Sequence, residues 1–300
     1  MRLGVFFVIY CGLVMSLPGC NFERQESIKI ANKGVQSLNE GDFEVALGFL
    51  KKALLKDPTN ATAANLMGQI YFHDLRNHEE AKKAFLLALD SKSEHLDTLY
   101  RMGWLHVETE KFPEAQLYLQ SCIDLDPEHG HCHYFIGRIF EARNDLEGAN
   151  RSYRQSIRLE PRSARSFNSL ADLYIRVRGI SEAIEVLEEA IRLNPDHAES
   201  RQKLGSLLLQ RGDPSRAAQL FLDAAQLSPQ EHELLFAVGS AYVQSQETKA
   251  AAHFLARYLA KPQDGRKVDR PNENVARVML ENLRRGPRLM APVGENPENE

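Results

Sequence analysis

The stretch AESRQKLGSLLLQRGDPSRAAQLFLDAAQLSPQE, residues 198–231, decides the fold. Its first half sets Leu204, Leu207 and Leu208 on one helical face. Arg211-Gly212-Asp213-Pro214 then breaks the helix. Glycine accepts a left-handed turn there, and proline cannot continue a helix. A second run places Ala217, Leu220, Phe221 and Ala224 at helical spacing, and Pro229 closes the unit. The result is two short amphipathic helices, neither able to bury its apolar stripe alone.

The unit recurs along the chain. Alanine returns at Ala46, Ala81, Ala115, Ala149, Ala183, Ala217 and Ala251, in one step of 35 and then steps of 34. A small residue keeps the same beat at Gly34, Gly68, Gly103, Gly137, Ala171, Gly205 and Gly239. Proline does so at Pro58, Pro127, Pro161, Pro195 and Pro229. Three ladders of one period mean one supersecondary unit stacked seven times. The small residues fall where two antiparallel helices approach most closely, so a larger side chain would pry them apart.

These residues resemble the tetratricopeptide repeat (TPR), with a small residue at repeat position 8, Ala at 20 and Pro at 32. Position 24 is filled by Leu50, Phe85, Leu119, Tyr153, Leu187, Phe221 and Leu255. Position 27 is filled by Ala53, Ala88, Cys122, Ser156, Ala190, Ala224 and Tyr258. The resemblance covers about residues 27–265. It implies an all-α, right-handed superhelical solenoid of about seven helix-turn-helix repeats, with helix A of each lining the concave side. Repeat two departs by one extra residue between Leu75 and Glu79 and by Ser93 in place of proline. Repeat seven departs at Tyr258, and its Pro262 comes one place early. The amphipathic stretch Asn274–Arg285 is expected to form a capping helix within residues 266–285, because an open solenoid end exposes apolar surface. The Pro-, Gly- and Glu-rich tail, 286–300, is expected to be disordered.

The chain opens with one cation, Arg2, and an apolar run from Leu3 to Leu17, then Leu17-Pro18-Gly19-Cys20. A short apolar core ending in small residues describes a signal peptide, 1–19, too short for a membrane span. Leu17 to Cys20 is similar to a bacterial lipobox, although Pro18 is an unusual residue at its place. That resemblance implies cleavage before Cys20, acylation of its sulfur, and a lipid-anchored linker over residues 20–26. Otherwise Cys20 is an ordinary thiol beside a conventional signal peptide. Asn21, by analogy with proteobacterial sorting, implies the outer membrane and a periplasm-facing domain.

Composition narrows the function. The net charge is −4, and there is no basic stripe interleaved with aromatics, so nucleic acid is not an expected partner. The chain shows no His-Glu-x-x-His, nucleophile elbow or phosphate-cradling loop, so no enzyme, cofactor or small-molecule substrate is expected. His129, His131 and His133 surround Cys132, but Gly130 breaks the helical face that metal ligands would need. No metal site is expected there. Cys122, at position 27, and Cys132, at position 3 of the next repeat, come near each other where repeats meet. An oxidising compartment permits a disulfide between them, and otherwise Cys122 substitutes for Ala as a small buried hydrophobe.

The resemblance also implies which side chains face a ligand on helix A. Read onto this chain they include Phe72, Tyr100, Trp104, Tyr134, Arg138, Asn168 and Asp172. Aromatic and Arg side chains so placed are typical interface anchors. The alternative is that Tyr100 and Trp104 pack against the neighbouring helix A. The clamp for a free C-terminal carboxylate is absent, with Ala31 and Val35 at the matching places. The expected function is a lipid-tethered periplasmic adaptor holding an envelope protein or peptide segment in its groove. A lipobox followed by a TPR array resembles the pilotin-type lipoproteins of type IV pilus systems, which help a secretin assemble. Adaptors in polysaccharide export or peptidoglycan hydrolase recruitment share that layout, and a regulatory module of an enzyme complex is the reading from another class.

Overall fold

The computed structural model describes residues 18–91, 95–260 and 271–285. Seven antiparallel helix pairs follow one another. They are α1 (Pro18–Asn39) with α2 (Phe43–Lys56), α3 (Ala61–Gln69) with α4 (His78–Ser91), and α5 (Leu96–Glu108) with α6 (Phe112–Leu125). Next come α7 (Gly130–Ala142) with α8 (Leu146–Leu159) and α9 (Ala164–Arg176) with α10 (Ile180–Leu193). The last are α11 (Ala198–Gln210) with α12 (Pro214–Leu227), and α13 (Glu233–Gln244) with α14 (Thr248–Leu259), before a single helix α15 (Glu273–Arg285). Among the described residues there is no strand, and no helix is long and apolar enough to cross a membrane. The apolar leader, 1–17, and the tail, 286–300, lie outside the described residues. Two compact units divide the chain, one ending at Ile139 and one starting at Phe140.

One contact explains two of the sequence ladders. Within a repeat, the side chain at position 24 of helix B lies over the small residue at position 8 of helix A. A Cβ built on Gly68 would sit 2.4 Å from the Phe85 ring, and one on Gly103 would sit 2.4 Å from Leu119 Cγ. Gly205 stands in the same way against Phe221, and Gly239 against Leu255. The position 20 alanines, Ala46 through Ala251, are buried without remainder. Helix starts are capped by side chains: Asn60 accepts from Ala63 N at 3.0 Å, Asp145 from Gly148 N at 2.8 Å, and Asp213 from Arg216 N at 3.2 Å. The turn between helices needs one left-handed residue in every repeat. Gly212 supplies it at φ +80°, while Glu110, Asn144, Arg178 and Gln246 adopt it at φ +57° to +63°.

Three details differ from the sequence expectation or sharpen it. Residues 20–26 are not a separate linker, because α1 already runs from Pro18 and carries them as helix. The extra residue of repeat two is not left in the loop. It is absorbed as a π turn, Ile70–Asp74, with Leu75 N donating to Ile70 O at 3.1 Å. The cap begins at Glu273, and its Ala276 and Leu280 pack on Leu255 and Tyr258 of α14. Tyr258, large at a position that is elsewhere small, holds this end together. Its hydroxyl donates to Glu233 at 2.5 Å and accepts from Asn272 N at 3.2 Å, while Asn272 Nδ2 donates to Glu233 at 2.8 Å.

Two glycine substitutions with opposite outcomes test the packing. Gly48 lies mid-helix in α2 with nothing near its missing Cβ, so Gly48→Ala is expected to raise stability by about 1 kcal/mol. Gly103→Ala gains the same helix propensity but drives into Leu119, which is fully buried and cannot yield. The expected net loss is about 1 to 2 kcal/mol, read by urea unfolding.

Candidate functional site

Five of the seven residues expected to face a ligand, Phe72, Tyr100, Trp104, Tyr134 and Arg138, lie in the first unit, and the structure corrects how three of them sit. Phe72 is not presented to a groove: it is 2% exposed and packs with Ala81, Phe85, Met102 and Leu105. The equivalent position of the next repeat is buried as well, with Val107 4% exposed. Tyr100 and Tyr134 are also buried, and only Trp104 and Arg138 keep a half-exposed position. Asn168 and Asp172 belong to the second unit. Asn168 is buried and accepts from Ser200 Oγ of α11 at 2.9 Å, so it ties repeats together. Asp172 is exposed, with Lys203 Nζ at 2.7 Å.

The aromatic residues of the first unit form a continuous wall from the π turn through α5 to α7. Trp104 stacks on Phe135 at 5.3 Å and meets Phe72 edge-on at 5.1 Å and His73 at 4.7 Å. Tyr100 meets Trp104 at 6.0 Å, Phe135 at 5.8 Å, and both His129 and His131 at 5.5 Å. These separations lie in the favourable range for offset and edge-on rings, so each ring is held by its neighbours. The indole N–H of Trp104 donates to Glu108 Oε1 at 3.3 Å, which orients the ring from its solvent side.

A polar cluster borders the wall. Asp97 Oδ2 accepts from Asn65 Nδ2 at 2.6 Å, from Gln69 Nε2 at 3.3 Å and from Arg101 Nε at 2.9 Å. Arg101 Nη1 lies 3.3 Å from His73 Nε2. Burial works to raise the Asp97 carboxyl, but the Arg101 hydrogen bond and charge, with the Asn65 amide, outweigh it and hold it below its ordinary value. Asp97 is therefore a fixed anion that locks α3 to α5. The sequence pattern did not single out Asn65, Arg101, His73 or Phe135. Asn65 and Asn168 share repeat position 5, and each bonds into the next repeat, a recurrence that was open to detection.

Cys122 and Cys132 are bonded to each other, with Cα atoms 6.5 Å apart. One repeat later the same pair of positions holds Ser156 and Ser166, whose hydroxyls hydrogen-bond at 2.7 Å. The disulfide is thus the covalent form of a contact between successive repeats. His129 lies close enough to both sulfurs to complete a three-ligand set, but while the sulfurs are joined they offer no thiolate to a metal.

A tetratricopeptide repeat model matches residues 100–164, 168–232 and 203–265, and a second one matches residues 61–95. The chain belongs to the tetratricopeptide repeat family. TPR proteins bind protein partners, and their arrays are generally scaffolds without catalytic activity. Among solved structures, the type IV pilus biogenesis factor PilW superposes with TM-score 0.61 at 18% identity, covering 70% of this chain and 97% of that one. Pseudomonas aeruginosa PilF superposes with TM-score 0.58 at 22% identity, covering 77% of this chain and 99% of that one. Among curated relatives, the mouse BBSome complex member BBS4 is 23% identical over 134 residues. That alignment spans 42% of this chain and 24% of the relative. At these identities the likeness establishes the fold.

Two measurements follow from this geometry. Reduction of Cys122–Cys132 in the folded protein is expected to lower stability by about 2 to 3 kcal/mol. A Cys122→Ser, Cys132→Ser variant, made to reproduce the Ser156–Ser166 pair, is expected to lose less and to ignore reductant. On the other face of α5, buried His106 stacks on Tyr118 at 5.5 Å. Burial, then the positive charges of Lys82 and Lys111, depress its pKa, against an opposing contribution from Glu114. Below pH about 6.5 the unfolded chain therefore takes up a proton that the folded chain declines, and stability falls as pH falls. His106→Phe keeps the stack and is expected to flatten this loss between pH 7 and pH 5, read by thermal melts across that range.

Proposed function

We propose that this TPR array is a lipid-anchored adaptor of the bacterial outer membrane, facing the periplasm. It seats a segment of an envelope protein against the wall around Trp104 and serves type IV pilus or secretin assembly. One observation carries the reading: nearly the whole of two pilus-biogenesis TPR structures, 97% and 99% of their lengths, superposes on this chain. The lipobox-like sequence Leu17-Pro18-Gly19-Cys20 supports the anchor. The Cys122–Cys132 disulfide supports an oxidising compartment.

The wall suits this role. Trp104 is half-exposed on a bed of rings that cannot shift, so a partner side chain meets a surface whose conformational entropy is already spent. Arg138, one turn beyond Tyr134, is a half-exposed cation on the same helix α7. An extended or helical segment offering an apolar residue beside an acceptor matches this pair.

The anchor and the wall are tested separately. In a lipoprotein-processing host the wild type is expected to incorporate labelled palmitate, and Cys20→Ser to incorporate none; a wild type that takes up no label removes the anchor. Trp104→Ala is expected to weaken binding of the secretin subunit by about 2 kcal/mol, with Glu185→Ala in the second unit as the neutral control. Unchanged affinity in a folded Trp104→Ala protein removes the wall.

A further inference from the structure

The helix B surface of the first unit carries an apolar groove. Between α4 and α6 runs a groove of about 940 Å³, floored by Leu89, Leu99 and Tyr118 and walled by Leu86, Leu87 and Leu117. Leu117 is 70% exposed, and Leu125, two turns further along α6, is also exposed. Asp90 and Glu114 are the charged residues among those lining it.

The repeat supplies its own control, because equivalent positions can be compared. Position 22 is Leu117 in repeat three but Arg151 and Glu185 in repeats four and five. Positions 25 and 26 are Leu86 and Leu87 in repeat two but Glu188 and Glu189 in repeat five. The most informative pair is position 25 of one repeat with position 19 of the next. At the α10–α12 seam of the second unit this pair is Glu188 and Arg216, joined at 3.1 Å. At the α4–α6 seam of the first unit it is Leu86 and Glu114, which can form no such bridge. Where the α10–α12 seam is closed by an ion pair, the α4–α6 seam is an apolar slot with a carboxylate at its edge. The fold does not require these leucines, since the same fold carries charges at the same places.

We propose that the groove between α4 and α6 is a second docking site, for an amphipathic helix of a partner protein that brings an apolar face and a Lys or Arg edge. The two leucine-bearing ridges match helix-in-groove recognition, and the cavity takes several side chains. Asp90 and Glu114 select the basic edge and disfavour both an acidic helix and an anionic lipid surface. The groove runs between two helices B, with Leu99 of a helix A at its floor, and shares no lining residue with the wall around Trp104, so one chain holds two partners or grips one twice.

The test uses the full chain and three labelled synthetic peptides of about 18 residues, long enough for a stable amphipathic helix. They are a Leu/Lys amphipathic helix, a scrambled Leu/Lys peptide and a Leu/Glu amphipathic helix, with binding read by fluorescence anisotropy. The amphipathic Leu/Lys helix is expected to bind more tightly than either of the others. Leu117→Glu and Glu114→Lys are each expected to weaken it roughly 10-fold or more, and Glu114→Lys to gain affinity for the Leu/Glu helix. Arg151→Glu, at the position equivalent to Leu117 in the second unit, is expected to change little. Circular dichroism melts confirm that the exposed-site variants stay folded. Equal binding of the scrambled peptide, or a folded Leu117→Glu variant with wild-type affinity, overturns the proposal. So does a dimer in sedimentation that Leu117→Glu dissociates, because the occupant is then a second copy.

Discussion

The fold depends on the close approach of two helices inside each repeat, made possible by a missing Cβ. A branched or aromatic side chain at position 24 of helix B lies directly over position 8 of helix A. Phe85 over Gly68 and Leu119 over Gly103 leave no room for even one methyl group. That approach lets two short helices, each marginal alone, share a dry interface. It also sets the angle at which the pair presents its remaining apolar faces to the next repeat. Replacing either member without the other would open or jam the seam, which is why both ladders run through the chain in step.

Between repeats the constraint is different. The slot formed by position 27 of one repeat and position 3 of the next is filled in several chemically distinct ways. Ala88 meets it beside Thr98, Ser156 and Ser166 hydrogen-bond across it, and Cys122 and Cys132 bond covalently. All are small and buried, so the slot specifies volume and leaves the chemistry open. Polar threads reinforce the same junctions, from Asn65 to Asp97 in the first unit and from Asn168 to Ser200 in the second. The end of the array shows what happens when there is no next repeat. Tyr258 enlarges position 27, reaches Glu233 and Asn272, and with Leu255 receives Ala276 and Leu280 of the cap.

Specialisation is unevenly distributed over this regular frame. The first unit concentrates the aromatic wall around Trp104, the disulfide and the leucine-lined groove of α4 and α6. The helix B surface of the second unit carries charge pairs, Arg216 with Glu188 across α10 and α12 and Arg192 with Glu189 along α10. Exposed pairs of this kind contribute little to stability, but they keep a surface from recruiting apolar partners. A repeat protein can afford this asymmetry because each repeat answers only to its neighbours.

The residues by themselves determined the repeat and its seven copies, because a 34-residue period leaves steric marks at every copy. They also placed Cys122 and Cys132 at one junction, since volume at positions 27 and 3 is a local property. What the sequence did not determine was the direction of individual side chains on helix A. Phe72 read as outward, yet it packs into the core with Phe85 of its own repeat and Met102 and Leu105 of the next. Tyr100 and Tyr134 read as groove residues, yet Tyr100 packs on Phe135 of the next repeat and on Trp104 of its own helix, and Tyr134 packs on Phe135 beside it. Asn168 read as a ligand contact and became a tie because Ser200 of the next repeat lies 2.9 Å away. The periodic pattern is written in contacts within a repeat, which the chain specifies locally. The exposure of a side chain depends on what the neighbouring repeat brings against it, and only the packed structure decides that.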